Sequence, residues 1–86
     1  MKKQLEKIRD DLDKIDDEIM VLITKRLTLA KKIGKLKKAA GKNVFDPKRE
    51  SLIIDRLHKN YGNKIKKEEI KLIYNSLYKI SKKRQS

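Results

Sequence analysis

Leu5, Ile8, Leu12, Ile15, Ile19 and Leu22 follow one another at alternating steps of three and four, and after a jump of seven the series resumes at Leu29, Ile33 and Leu36. A sustained 3-4 alternation marks the seam of a long helix that packs against other helices. The position that would close the gap, four after Leu22 and three before Leu29, holds Arg26. A cation in such a seam is desolvated, at high cost unless an anion meets it, and that anion comes either from the protein or from a ligand.

The pattern predicts one helix over about residues 2–40, where there is no proline and the only glycine is Gly34. At ~1.5 Å per residue such a helix is roughly 55–60 Å long, whereas a compact globule of this size has a radius of gyration of only about 12 Å. The helix overshoots its own domain, and a second copy is the simplest cover for its seam. We therefore expect an intertwined homodimer, or at least an obligate helical assembly. The stretch from Ala39 to Phe45 breaks the pattern. Asp46-Pro47 then reads as a helix start, with Asp46 as N-cap and Pro47 in the first helical position. The second helix runs to about Lys59, with an apolar arc of Ile53, Ile54 and Leu57. Glu50 falls inside that arc and Arg49 just beyond its edge. Tyr61-Gly62-Asn63 reads as a turn. A third helix is predicted over about 66–83, with Ile70, Ile73, Leu77 and Ile80 as its seam and Tyr74 beside it. The fold class is all-α: three helices, long, short and medium, in one domain spanning residues 1–86.

Composition narrows the chemistry. The 86 residues include no cysteine and one histidine, His58, so disulfides, thiolate metal sites and a zinc site built on histidine alone are excluded. There is no apolar stretch near membrane-spanning length and no signal-peptide pattern, so a cytoplasmic protein is expected. The net charge is +13, which favours anionic partners without choosing among nucleic acid, acidic membranes and small polyanions. Of the 25 basic residues only Arg9, Arg26, Arg49, Arg56 and Arg84 are arginine. Where lysine is the default, arginine hints at a use for its planar fork, which suits carboxylates.

Polar residues stand on or beside the packing faces at Arg26, Lys37, Glu50, Ser81 and Gln85. Lys37 lies eleven residues after Arg26, close to three turns, so the two cations share a face ~16 Å apart along the axis. Ser81 and Gln85, four apart, share a face near the end of the third helix. Each has an ordinary structural explanation. Arg26 can pair with Glu50, Lys37 can snorkel to water, Asp46 can serve as a cap, Ser81 and Gln85 can be helix-end residues, and Arg9 and Arg49 can be surface residues. Their coincidence shifts the balance towards a site for one small ligand.

The chain resembles the all-helical chorismate mutases, the AroQ class. The similarity runs through Ile8-Arg9, Ile15-Asp16, Lys25-Arg26 with Leu29-Ala30, Ile33-Gly34-Lys35 with Lys37, and Val44-Phe45-Asp46-Pro47-Lys48-Arg49-Glu50, ending at Ser81 and Gln85. The resemblance implies three helices per chain, two long first helices packed across a dimer, and two equivalent pockets. Arg9 would reach each pocket from the partner subunit; Arg26, Lys37, Asp46, Arg49, Glu50, Ser81 and Gln85 would come from one chain. It further implies rearrangement of chorismate to prephenate in phenylalanine and tyrosine biosynthesis, a unimolecular reaction that needs no cofactor and no metal. By the same resemblance Arg26 and Ser81 would hold the ring carboxylate, and Arg9 and Lys37 the side-chain carboxylate. Glu50, supported by Arg49, and the backbone at Asp46 would bind the ring hydroxyl. Lys37 and Gln85 would be the catalytic donors to the ether oxygen.

Three other readings compete. An isochorismate-pyruvate lyase of the same fold would use the same residue types. A basic helical module for nucleic acid would use the charge, but only Phe45, Tyr61, Tyr74 and Tyr78 are available for stacking, and Glu50 in an apolar arc is left without a role. A helical dimerisation domain with a dead pocket would bind no dicarboxylate.

Overall fold

The computed structural model describes residues 1–85. They form three helices, α1 (Lys2–Ala39), α2 (Pro47–Tyr61) and α3 (Lys67–Gln85), with no strand among the described residues. Helix α3 is the centre of the arrangement, since α1 packs on it from one side and α2 from another. The chain measures 59 × 25 × 16 Å with a radius of gyration of 16.6 Å, well above the ~12 Å of a compact chain of this length. The excess comes from the N-terminal half of α1, which projects beyond the other two helices.

The helix ends are set by local chemistry. At the end of α1, Gly41 takes a left-handed φ of 71°. The Lys42 N–H donates to the Lys37 carbonyl at 2.8 Å, and the Gly41 N–H to the Lys38 carbonyl at 3.1 Å. These two bonds make a Schellman stop, which needs the freedom of glycine at that position. Lys37 and Lys38 in the last turn suit the negative end of the helix dipole. At the start of α2, Asp46 Oδ1 accepts from the Arg49 N–H at 3.0 Å, with Pro47 in the first turn, so the Asp46-Pro47 start is realised. Helix α2 continues to Tyr61, past the expected Lys59, because Gly62 keeps a right-handed helical conformation and donates back to the His58 carbonyl at 2.8 Å. Glu69 accepts from the Lys66 N–H at 2.9 Å and opens α3. That helix runs two residues beyond the expected Lys83.

The apolar stripes differ from the expected seams in an instructive way. The α1 seam is exposed in the chain by itself, from Leu5 at 49% to Leu36 at 71%. The face that α1 turns to α3 lies one position further round, with Leu27 and Gly34 buried and Ile23, Arg26 and Ala30 partly so. Helix α3 behaves alike. Ile70 and Leu77 are buried as expected, but Ile73 and Ile80 are exposed, and Tyr78 and Ser81 are buried in their place. Each of these helices therefore carries two adjacent apolar stripes, one consumed inside the chain and one left uncovered. Periodicity detects apolar steps but does not say which partner meets them. The core proper is small, built on Ile54, Ile70 and Tyr78 with Leu57, Ile65 and Tyr74 packed around it. In so small a core each methyl group counts. Leu27→Ala is expected to lower unfolding stability by about 2–5 kcal/mol, read as a drop in the urea midpoint.

Candidate functional site

The contacts between α1 and α3 run in the same direction along both helices. Arg26 lies by Tyr74 and Tyr78, and Gly34 lies by Gln85. The two C-terminal ends therefore meet at one end of the molecule, and the α1–α2 connection brings the positive N-terminus of α2 to the same place. A cleft of about 260 Å³ opens between them. Of the eight residues expected at the site, seven line it: Arg26, Lys37, Asp46, Arg49, Glu50, Ser81 and Gln85. The eighth, Arg9, is exposed on the projecting half of α1, seventeen residues before Arg26 and so ~25 Å along the axis. The chain does not bring Arg9 to its own cleft.

The cleft is cationic. Arg26, Lys37, Arg49 and Lys82 face Asp46 and Glu50, four positive groups against two negative, a surplus of two positive charges. The pairings inside it are loose. Lys37 Nζ stands 3.7 Å from Asp46 Oδ2, with the Asp46 side chain about half exposed (47%), so the contact is weak and easily exchanged for a ligand anion. Asp46 thereby serves two groups, capping α2 with one oxygen and facing Lys37 with the other. The pairing of Arg26 with Glu50 that the sequence allowed does not form. Glu50 meets Lys82 instead, at 3.5 Å, and Arg49 makes no ion pair with it among the described residues, contributing its backbone N–H to the Asp46 cap. The reason is position: Lys82 follows Ser81 on the helix wall that faces Glu50.

Two features bear on ligand binding. Ser81 is 5% exposed and its Oγ has no hydrogen-bond partner among the described residues. A buried hydroxyl without a partner costs free energy, and this one borders a cationic cleft, where a ligand oxygen would satisfy it. Gln85 Nε2 donates to the Ala30 carbonyl at 2.9 Å, which sets the orientation of the amide and leaves its second N–H for the cleft. The stem of Gln85 can lie that close to α1 because residue 34 is glycine. A Cβ there would come within 3.0 Å of Gln85 Cγ and 3.2 Å of its Cβ.

Tyr78, Lys82 and Gly34 were not singled out from the sequence as site residues. Tyr78 O–H donates to the Glu50 carbonyl at 3.3 Å. Burial pushes its hydroxyl above the ordinary value of 10.0, against the opposing pull of Arg26, so it remains a neutral donor at physiological pH. Stepping back three and four residues from Ser81 would have found Tyr78 and Leu77 as its neighbours on the helix. Nothing marks Lys82 among so many lysines.

An all-helical chain whose helix ends converge on a cationic cleft with an unpaired buried hydroxyl has the form of a binding domain for a small anion. The chorismate mutase type II family model matches residues 8–86, and the chain belongs to that family. It is 41% identical over 59 residues to a chorismate mutase of Methanocaldococcus jannaschii, covering 69% of this chain and 60% of the relative. It is 35% identical over 79 residues to a bifunctional chorismate mutase/prephenate dehydratase of Aquifex aeolicus, covering 87% of this chain and 22% of the relative. An intracellular chorismate mutase of Mycobacterium tuberculosis is 32% identical over 53 residues, 62% of this chain and 50% of the relative. The chain thus spans less than two thirds of the length of each of these proteins. No solved structure matches significantly.

Ser81→Ala separates stability from binding. Removing an unsatisfied hydroxyl is expected to leave the melting temperature of the free protein unchanged or raise it, while weakening a dicarboxylate ligand by about tenfold. Thermal melts and calorimetric titration read the two effects independently.

Proposed function

We propose that this chain catalyses the rearrangement of chorismate to prephenate, in the cytoplasm, as a step towards phenylalanine and tyrosine. The observation that carries the reading is the cleft itself: a surplus of two positive charges matches a dicarboxylate, and the buried Ser81 hydroxyl, without a partner among the described residues and in the same lining as Arg26 and Gln85, offers a donor to a ligand oxygen. The family membership and the relatives named chorismate mutase support the same substrate.

In the reaction one C–O bond of the substrate breaks as one C–C bond forms, with no proton transfer and no external nucleophile. The task is to hold the extended dianion in its folded, reactive conformer. Arg26 and Ser81 hold the ring carboxylate. Lys37, released from its loose contact with Asp46, holds the side-chain carboxylate together with Arg9 of the partner subunit. Glu50, paired with Lys82, accepts from the ring hydroxyl alongside the backbone at Asp46. Lys37 and the free N–H of Gln85 point at the ether oxygen, where negative charge grows in the transition state, so their hydrogen bonds strengthen as the bond breaks.

The working form is a homodimer. The uncovered stripe of α1, from Leu5 through Ile19, is the length of chain that a second copy would bury, and burying it brings the partner's Arg9 towards the cleft.

The direct test is to follow chorismate loss in the ultraviolet with the purified protein and to identify the product. Prephenate is expected, with Lys37→Ala lowering kcat by about 100- to 1,000-fold. Absence of turnover, or release of pyruvate from isochorismate, would refute the assignment. Subunit sharing has its own signature. Arg9→Ala and Arg26→Ala are each expected to be nearly inactive. Mixing and re-annealing the two should restore about a quarter of wild-type activity, because half of the dimers are mixed and each carries one intact site of two. No recovery on mixing would place Arg9 outside the site.

A further inference from the structure

Arg26 sits partly buried between helices with no carboxylate within ion-pair distance among the described residues. Its guanidinium carbon instead lies 5.5 Å from the ring centroid of Tyr74 and 5.5 Å from that of Tyr78. Both distances fall inside the ~6 Å range in which an aromatic face attracts a cation. The two rings are one helical turn apart on α3 and meet edge to face, with centroids 6.0 Å apart and planes inclined at 61°. They form a wedge rather than a flat stack. The wedge is anchored on both sides. Tyr78 is 5% exposed and its hydroxyl is tied to the Glu50 carbonyl on α2, while Tyr74 packs on the core cluster.

We propose that Tyr74 and Tyr78 are positioning residues for Arg26: an aromatic seat that takes the place of a counter-ion and aims the guanidinium into the cleft. The chemistry explains why rings serve better than a carboxylate. A protein carboxylate on Arg26 would compete with an incoming anion for the same fork of N–H donors and would cancel part of the cleft's positive surplus. A ring face attracts the cation without charge, leaves the in-plane N–H groups free, and fixes the tilt of the guanidinium plane. Tyr74 does not line the cleft, so its effect on a ligand passes through the lining groups it touches, Arg26 and Tyr78.

The naming of the anion as the dicarboxylate substrate rests on the proposed function; the seat itself does not. Two readouts keep them apart. The first is the Arg26 Nε–Hε resonance of ¹⁵N-labelled protein without ligand, identified by its loss in Arg26→Lys. A proton held over ring faces is shifted upfield, so this signal is expected upfield of the other arginines. Tyr74→Leu should return it towards their position, and Tyr74→Phe should not. The second is affinity for a dicarboxylate transition-state analogue, measured by calorimetry. Tyr74→Leu is expected to weaken binding by about three- to tenfold and Tyr74→Phe to restore it. Leucine keeps the position apolar but is smaller than a ring, so the melting temperature of each variant is read as well: a purely packing role lowers stability and leaves the Arg26 signal where it is in wild type. Should Tyr74→Leu fail to fold, the wild-type chemical shift and the Tyr78→Phe variant, which keeps the ring, still test the seat. An unshifted Arg26 signal, or equal analogue affinity in wild type and folded Tyr74→Leu, overturns the proposal. A shifted signal that responds to Tyr74→Leu in a protein indifferent to the analogue supports the seat and refutes the substrate reading.

Discussion

Accommodating the Arg26 guanidinium where it is partly withdrawn from water is the constraint on which the rest of the structure depends. A guanidinium at a helix contact must be compensated, and the obvious compensation, a carboxylate, would leave nothing for a ligand. Here the carboxylates of the cleft are occupied elsewhere. Glu50 faces Lys82, and Asp46 divides its two oxygens between the first turn of α2 and Lys37. The cation is left to two tyrosine faces, with its hydrogen-bonding capacity not spent on a carboxylate among the described residues.

That arrangement requires three helix ends in one place. The glycine stop after α1 turns the chain back within a few residues of Lys37. The aspartate cap begins α2 with its positive end towards the cleft. Helix α3, packed between the others, runs on to Gln85 beside the backbone of α1. Each of these is a short-range feature of sequence. Together they place four cations and two carboxylates around one cavity.

The sequence disclosed much of this because the signals were contradictions. Arg26 interrupted a regular seam, Glu50 stood in an apolar arc, and Asp46-Pro47 opened a helix; the structure puts all three at the cleft. What escaped was orientation. The seam through Leu22, Leu29 and Ile33 was legible as apolar, but a step of three or four residues fits two neighbouring stripes equally well, and the chain packs Leu27 inside while leaving Ile33 half exposed. Tyr78 was hidden for the same reason, one position from the Leu77 that seemed to define the face. Lys82 could not have been found, since one lysine in a lysine-rich chain carries no signal until a carboxylate is seen opposite it. Arg9 lies far from the cleft of its own chain, on the projecting half of α1.

The bare backbone at Gly34 has a consequence for the timing of conformational entropy. Gln85 is a flexible side chain near the end of a helix, the kind of group that ordinarily surrenders rotamer freedom when a ligand orders it. Here its stem rests against main chain, which has no rotamers of its own, and its amide is already held by the Ala30 carbonyl. The ordering is completed when the chain folds. Whatever binds in the cleft meets an amide already held, so the entropy of immobilising it falls on folding stability rather than on affinity.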